Sequence, residues 1–464
     1  MSGWSNQLRQ RFRGNSSGVI NSVIMQTQAT TSRDAYLNAL LEQGGAQPSM
    51  GLNLNNLRSA AQALVKEQTF PSTRDEEWRF TDLSVLMGMD FQTAEAVSPT
   101  VSPLDLSGLL LPVDLAERRL VFINGIFAAE LSSLTALPET ITVSNLAALY
   151  ADPDWQPKLD ARLAQLPGHH EVFTALNTAS FADVAVVWVP RNVEVDQPIH
   201  LVHIALPGSA LTLTHPRCLI VAEANSALTL IEEFSGVGAD DYLTNSVTEI
   251  WLDDAAQVNH TRLQQEQGGA FHIGKTAVSQ ARDSRYVCNA ISLGAGLSRH
   301  NLEIYQTGAQ TDTRLYGLSA IAGNQHSDTH SAINLSHPHG TAEQIHKCIV
   351  DDRAHAVFNG KVFVPREAQL TNASQLNRNL LLSDKARVDT KPQLEIIADN
   401  VKCAHGATVS QLEADEIFYL QSRGISAAEA QHLLLYGFAM EVVEKIPIPS
   451  IRDALTTQVT QLAS

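Results

Sequence analysis

The stretch DAAQV, residues 254–258, combines a small residue, Ala256, with an apolar residue two positions later, and similar stretches recur along the chain. They are ANSAL (224–228) and DKARV (384–388), with RDSRY (282–286) and DRAHA (352–356) as weaker copies. The small residue stands at positions 226, 256, 284, 354 and 386, so the intervals are 30, 28, 70 and 32, and we interpret 70 as two periods. A period near 30 residues is typical of architectures that stack one repeat on the next.

The repeats lie in a region of short strands. From about Ala185 to Ala404 the sequence shows no amphipathic helix of 12 residues, whereas VAVVWV (184–189) and SVTEIWL (246–252) have strand character. We therefore predict a mainly β fold whose core is a β-solenoid, with the small residue at a tight turn between stacked coils. The apolar residue two positions later would point inward, because strand side chains alternate. The alternative is an antiparallel β-sandwich, but sandwiches usually show turns every 8–12 residues.

Helical patterns flank this core. Tyr36, Leu37, Leu40 and Leu41 recur at helical spacing, and the segment from about Ser32 to Leu86 is predicted to be helical. LVFINGIF (120–127) predicts a hairpin around Asn124-Gly125. The predicted divisions are a disordered tail at 1–31, an N-terminal helical region with a connector and this hairpin at 32–170, the β core at 171–408, and a helical domain at 409–464.

The C-terminal helices carry start and stop signals. Ser410 with Glu413, and Ser426 with Glu429, have the spacing of capping boxes and predict two helix starts. Pro447 then ends the second helix.

Composition excludes several classes. A net charge of −17 argues against a general nucleic-acid binder, and no run of about 18 apolar residues predicts a membrane span. The four cysteines contain no C-x-x-C pair, which indicates a reducing compartment. The first 33 residues hold four arginines and no acidic residue. A transit peptide has this composition, but we favour a tail upstream of a natural start near Met25.

The octapeptide GAFHIGKT (269–276) matches the phosphate-loop pattern through Gly269, Gly274, Lys275 and Thr276. A working loop needs a buried apolar strand before it and a helix after it. The preceding TRLQQEQ (261–267) is too polar, and the following residues lead into a repeat copy. We interpret the match as accidental and predict no nucleotide site.

Two segments could hold a metal ion. The first contains His326, Asp328, His330, His337, His339 and His346. Histidines with a carboxylate can bind zinc or iron, but we favour a polar solenoid edge or a subunit interface. The second is Cys403 with His405, on the same face of one strand; they are either two ligands of a shared soft metal or a structural cysteine with an interface histidine. No nucleophile–base constellation is visible, and we expect the acidic pairs Glu232-Glu233 and Asp253-Asp254 to face solvent at coil turns, so we predict no enzyme.

Beyond about residue 30 the chain resembles the SufB/SufD family of the SUF iron–sulfur cluster assembly system. The resemblance rests on PSTRDEEWRFTDL (71–83), FTALNTASFAD (173–183), the segment 337–347, AVFNGKVFV (356–364), ADNVKCAHGATVSQL (398–412) and FYLQSRGI (418–425). HGAT at 405–408 is similar to SufD-type members, since SufB-type members tend to carry HEAT. Gly340 also stands where relatives often have a cysteine.

This resemblance implies a right-handed parallel β-helix and a non-catalytic scaffold in complex with SufB and two copies of the ATPase SufC. It implies that the β-helix pairs with SufB, and that His405, with Cys403 as a second candidate, meets a transient iron–sulfur cluster at that interface; no cofactor is expected to bind stably. The C-terminal helices would bind SufC, and the residues implied in that contact are Phe418, Tyr419, Leu420, Arg423, Gly424, Ile425, Leu433 and Leu434.

Two rival functions remain open, a self-sufficient homodimeric iron–sulfur scaffold and a β-helix carbohydrate-active enzyme. For the carbohydrate-active enzyme, the sequence offers no support beyond the fold class. The expected location is cytoplasmic, or organellar if the N-terminal tail is a transit peptide.

Overall fold

The computed structural model describes residues 32–44, 51–93, 109, 112–206, 208, 210–238 and 240–461. Its core is a β-solenoid in which the chain alternates between two sheets, sheet A and sheet B, that face each other across the interior. Neighbouring strands within each sheet are parallel along the stack, except for two antiparallel pairs at its N-terminal end, Thr142–Asn145 with Ala185–Val189 and Arg119–Ile123 with Ile126–Phe127. The predicted parallel β-helix class is therefore confirmed; the predicted tail at 1–31 lies outside the described residues.

Sheet A has eleven strands. They are β1 (Gln92–Thr93), β4 (Thr142–Asn145), β5 (Ala185–Val189), β7 (Thr212–Thr214), β8 (Arg217–Ala222), β10 (Tyr242–Leu252), β12 (Phe271–Gln280), β14 (Leu297–Gln306), β16 (His326–Asn334), β18 (His355–Val364) and β20 (Arg387–Ile396).

Sheet B has ten strands. They are β2 (Arg119–Ile123), β3 (Ile126–Phe127), β6 (Ile199–Ala205), β9 (Ala227–Gly236), β11 (Gln257–Gln264), β13 (Arg285–Ser292), β15 (Asp312–Ile321), β17 (Thr341–Val350), β19 (Asn372–Leu381) and β21 (Lys402–Gln411). Strands β2 and β3 form the hairpin predicted around Asn124-Gly125, and β2 pairs with β6, so the ladder begins within the segment assigned to the N-terminal region.

One corner of each coil is built by a residue with positive φ, two positions before a sheet B strand or its equivalent. These residues follow one another at intervals of 27 to 33 and are Asn192, Asn225, Ala255, Asp283, Gln310, His339 and Leu370. The N–H of each donates to a carbonyl of the next coil, as from Asn225 to Asp254 (2.8 Å) and from His339 to Gln369 (2.9 Å). These seven bonds, the last from Leu370 to Asn400, thus join eight successive coils at this corner, and the ladder offsets the cost of left-handed backbone at non-glycine residues.

The corners explain the repeat and correct its count. Ser226, Ala256 and Ser284 precede strands of sheet B, whereas Ala354 and Ala386 precede strands of sheet A. The interval of 70 between 284 and 354 is therefore two and a half coils, not two. At each of the two corners the side chain is nearly buried against the neighbouring coil, so a small residue is needed. The same sequence pattern therefore marks both corners.

Short helices cover the outer face of sheet A. They are α1 (Arg33–Gln43), α2 (Leu52–Lys66), α3 (Leu146–Tyr150), α4 (Gln156–Asp160) and α5 (Val172–Ser180). Tyr36, Leu37, Leu40 and Leu41 of α1 are buried, as their spacing predicted. The segment after α2 is less helical than predicted, because it contains only the 3-10 turns Glu76–Trp78 and Leu86–Gly88. Two further 3-10 turns, Val113–Arg118 and Ala129–Leu131, flank the hairpin.

Helices α6 (Ala414–Ser422), α7 (Ala427–Val443) and α8 (Pro449–Gln461) follow the last strand. Leu435, Val442 and Ile446 pack with Leu263 and Ile349 on the outer face of sheet B. The capping box of Ser426 and Glu429 is confirmed. The one predicted at Ser410 is wrong, since Ser410 lies inside β21 and Glu413 is the N-cap of α6 without a side-chain cap. No described helix is long and apolar enough to cross a membrane.

Candidate functional site at the open end of the solenoid

The last coil ends the stack with two open strand edges. Within the described part of the chain, β20 pairs only with β18 and β21 only with β19. Each edge strand is ten residues long, so a row of backbone N–H and C=O groups on each is free to pair with another chain. This end of the solenoid is therefore able to pair with the strands of another chain.

Cys403 and His405 lie in this last coil. In register they stand over Ala373 and Gln375 of β19, which are both buried in the interior. Their side chains therefore belong to the inward row of sheet B, yet no further coil covers them. Cys403 is half-buried against the interior apolar cluster, and burial raises the pKa of its thiol. The His405 side chain is exposed, so its ring nitrogens are accessible to a ligand.

Apolar residues surround the two edges. Leu370, Ile396, Ile397 and Val409 are between 40% and 56% exposed, and all lie in or beside the last coil. A folded monomer gains nothing from placing such side chains in water, whereas a partner that covers the end would bury them. Open edges and exposed apolar side chains thus mark the same surface.

The C-terminal helices carry a second exposed apolar surface. Phe418 and Tyr419 of α6 are 70% and 57% exposed, and Leu433 of α7 is 48% exposed. Leu420, Ile425 and Leu434 are half-buried. The Arg423 guanidinium lies 5.3 Å from the Tyr419 ring centroid, and Gly424 takes a positive φ of 87° just after α6. The residues predicted to contact SufC therefore lie on α6, on α7 and in the turn between them, and five of the eight are exposed.

The six residues of the histidine-rich segment do not form one site. His330 Nε2 lies 3.0 Å from Asp328 Oδ1, and Arg299 Nη1 lies 2.7 Å from Asp328 Oδ2. This group holds the polar segment that contains Trp78, since Thr81 bonds to His326 and the Arg299 guanidinium lies 3.8 Å from the Trp78 ring centroid. The other three are elsewhere: His346 stacks on Phe358 in the interior, and His337 and His339 lie at a coil corner.

The octapeptide at 269–276 lies mostly in β12, where the residues from Phe271 to Gln280 are all buried. No helix begins there. The Lys275 ammonium is 2.8 Å from the Glu303 carboxylate and 3.1 Å from the Gly168 carbonyl oxygen. Gly274 is an inward strand residue of β12, and Gly269 lies in the turn before it.

Buried charged residues in the first coils of the solenoid were not predicted from the sequence. Glu232 and Glu233 are fully buried in the middle of β9, so the expectation that they face solvent is wrong. Glu233 points outward from the interior to His200 at 2.9 Å, and Glu232 points inward to His260 at 3.2 Å. The available signal was the alternation of His260, Arg262 and Gln264 within β11, which puts polar residues on the inward row.

The comparisons with known proteins agree with this architecture. Residues 205–438 match the SUF system FeS cluster assembly, SufBD core domain model, and residues 37–201 match the SufBD protein N-terminal region model. The chain is 45% identical to an iron–sulfur cluster assembly SufBD family protein of Synechocystis, over 94% of this chain and 97% of that one.

Two further relatives carry more specific names. Protein ABCI7, chloroplastic, of Arabidopsis thaliana is 33% identical over 98% of this chain and 96% of its own length. The iron–sulfur cluster assembly protein SufD of Escherichia coli is 30% identical over 84% of this chain and 89% of its own length. The parallel solenoid, its two family-model matches and these relatives together show that the chain belongs to the SufB/SufD family of the SUF iron–sulfur cluster assembly system.

Proposed function

We propose that this chain is a non-catalytic scaffold subunit that pairs with SufB through the open end of its solenoid and docks the ATPase SufC through α6 and α7. The observation that carries the proposal is the uncovered last coil, with two ten-residue strand edges beside Cys403 and His405. A paralogue with a similar parallel solenoid could continue both sheets across the junction, because strand edges pair best with strands.

The cluster chemistry follows from the ligands at this end. An iron–sulfur cluster is held mainly by thiolates, and imidazole can replace a thiolate on one iron. The last coil offers one exposed imidazole, His405, and one half-buried thiol, Cys403, which are too few ligands to close a site. The remaining thiolates would come from SufB, and the nascent cluster would be cargo of the interface and no resident cofactor.

The docking of SufC is supported by the arrangement of the helices. Helix α7 is fastened to sheet B, since Lys347 of β17 bonds to the Phe438 carbonyl oxygen at 2.8 Å and forms an ion pair with Glu441. Helix α6 directly follows β21, the strand that carries His405. When SufC subunits close on ATP and pull on α6 and α7, the force would reach the last coil and open the interface.

The first test replaces His405 with Ala. We expect the complex with SufB and SufC to assemble at normal stoichiometry, because the side chain is exposed and carries no core contact. The yield of assembled cluster, measured by iron and sulfide analysis of the anaerobic complex, should fall to background. His170→Ala, at an exposed histidine of the N-terminal region, is the matched control and should keep the yield. Normal yield in His405→Ala contradicts the proposal.

The second test concerns SufC. The double substitution Phe418→Ala and Tyr419→Ala removes exposed apolar area without opening the core, so Tm should stay unchanged. In a pull-down through this chain, SufC should be lost while SufB is retained. Val85→Ala, at a residue 50% exposed, serves as the control. Retention of SufC by the double variant would argue against α6 as its docking site.

A homodimeric scaffold is the second candidate. The same two edges could pair with those of a second copy about a twofold axis, which would place two His405 residues at one junction. Anaerobic reconstitution of the purified chain alone separates the two candidates: stable iron and sulfide at a fixed ratio supports the homodimer, and their absence supports the heterocomplex.

A further inference from the structure

Three side chains of different ligand types meet inside the first coils of the solenoid. His203 comes from β6, Cys218 from β8 and Glu232 from β9, and they are 3%, 1% and 0% exposed. Their ligand atoms all lie within 4.8 Å of one another, and His203 Nε2 is 3.2 Å from Cys218 Sγ. Two sheets contribute, so the cluster lies across the interior and is not a product of neighbouring residues on one strand.

The surroundings hold two of these side chains in place. The His203 ring stacks on Phe234, with centroids 5.1 Å apart and planes 19° apart. Thr248 donates a hydrogen bond to Oε1 of Glu232, and His260 Nε2 approaches Oε2 at 3.2 Å. Carboxylates of metal sites commonly have such hydrogen-bonding partners, which orient the oxygen that faces the ion.

We propose that His203, Cys218 and Glu232 bind one divalent transition-metal ion of the Zn²⁺ or Fe²⁺ class. A tetrahedral ion with Zn–S near 2.3 Å and Zn–N near 2.0–2.1 Å separates its sulfur and nitrogen ligands by about 3.5 Å. The observed separation of 3.2 Å is close to this, and a Glu232 carboxylate oxygen lies within 4.8 Å of both atoms. Imidazole, thiolate and carboxylate together are the donor set that suits such ions.

The fourth position can be filled by water. A small pocket borders His203 and is lined by polar groups of Thr214, Thr244 and Glu266; it extends to Gly125 in the β2–β3 turn. Three protein ligands with one position open to water are typical of catalytic zinc sites.

The site lies several coils from Cys403 and His405, and it does not depend on the proposed pairing with SufB.

The experiment uses the full chain with Cys403→Ala and His405→Ala, which removes the other cysteine–histidine pair. Anaerobic titration with Co²⁺ should give a thiolate-to-cobalt charge-transfer band that saturates at one equivalent. Cys218→Ser in this background should abolish the band. Cys288→Ser and Cys348→Ser, at two other buried cysteines, should keep it. A missing band in the background protein, or loss with Cys288→Ser and not with Cys218→Ser, would overturn the assignment.

A second measurement needs no further variant of the core, in case Cys218→Ser does not fold. The Zn K-edge X-ray absorption spectrum of the zinc-loaded background protein should show one sulfur at about 2.3 Å with nitrogen and oxygen at about 2.0–2.1 Å. Zinc should also raise Tm, because it binds the folded state alone. A shell of nitrogen and oxygen only, or no rise in Tm, rejects the site.

Discussion

A buried carboxylate, Asp328, decides how the N-terminal segment is held on the solenoid. Its side chain is 1% exposed and contacts Arg299 at 2.7 Å, His330 at 3.0 Å and the Thr81 hydroxyl. Burial alone would raise its pKa, but His330 and Arg299 lower it strongly, so Asp328 stays charged. An uncompensated charge here would be costly, and the three partners explain why polar residues of 71–83 dock on a sheet face.

His330 makes this contact sensitive to pH. Burial would lower its pKa, but Asp328 and Glu77 raise it, so the protonated ring is favoured in the folded state. A raised pKa stabilises the fold fully below the unfolded value of about 6.5 and loses this effect as pH rises through the folded value. We expect His330→Gln to cost about 1.5–3 kcal/mol at pH 5.5 and almost nothing at pH 9.5.

Thermal unfolding of wild type and His330→Gln at the two pH values measures this difference, and His170→Gln supplies the control for an exposed histidine. Because Asp328 has a lowered pKa, its own contribution is present above about pH 3.9 and disappears only below that value. A difference in Tm that stays constant between pH 5.5 and 9.5 would contradict the role of His330.

Residue-level prediction from sequence worked where side-chain alternation decided the answer. The spacing of Cys403 and His405 correctly placed both on one strand face, since two positions along a strand always do so. It failed for Glu232 and Glu233, because an acidic pair is far more often exposed than buried. The partners His260 and Thr248 of Glu232, and His200 of Glu233, come from other strands and make the burial possible.

At the scale of elements, strand β21 connects the proposed interface to the helices. Eight of its ten residues are exposed because its outer edge has no neighbour among the described residues, and two residues separate its end from the start of α6. A natural edge strand is normally protected by charge, by proline or by being short. Pro392 protects β20 in this way, whereas β21 contains no proline. We therefore expect β21 to pair with another strand more readily than β20.

A charge on β21 should therefore block pairing. Val409 is 49% exposed, and Val409→Lys would bury an ammonium in any strand-to-strand junction, which costs several kcal/mol. We expect affinity for SufB to fall at least tenfold, about 1.4 kcal/mol, with Tm of the free chain unchanged. Val85→Lys, at a valine of equal exposure far along the chain, should bind SufB normally in the same pull-down or calorimetric titration. Unchanged affinity of Val409→Lys would show that the partner does not cover β21.

Element boundaries were predictable where capping chemistry is local. Ser426 and Glu429 form their reciprocal hydrogen bonds within four residues, so the start of α7 could be predicted. Ser410 has the same spacing to Glu413, but pairing of β21 with β19 takes precedence and keeps Ser410 in a strand. Tertiary hydrogen bonds across the ladder, invisible to a local pattern, decided that case.

At the scale of the molecule, the solenoid is a one-dimensional stack covered on both faces. Helices of the N-terminal region bury apolar side chains on sheet A, and α7 with α8 does so on sheet B. The 30-residue period predicted the stack, but the left-handed corners could not be foreseen. Ala255, Gln310 and Leu370 are not residues that favour positive φ, and the hydrogen-bond ladder between coils keeps them there.

Stability in such a stack depends on neighbours, so it should fall toward the open end. Strands β16 and β17 have a coil on each side, whereas β20 and β21 have one. Opening the last coil breaks one set of inter-coil hydrogen bonds, and opening a central coil breaks two.

We expect amide hydrogen exchange in 387–396 and 402–411 to be at least tenfold faster than in 326–334 and 341–350, a difference of about 1.4 kcal/mol. Mass spectrometry of the exchanged chain measures this, and adding SufB should slow exchange in the last coil while the central coils stay as they were. Equal exchange along the free stack, or protection by SufB that misses β20 and β21, would show that the end of the solenoid is not the surface that the partner covers.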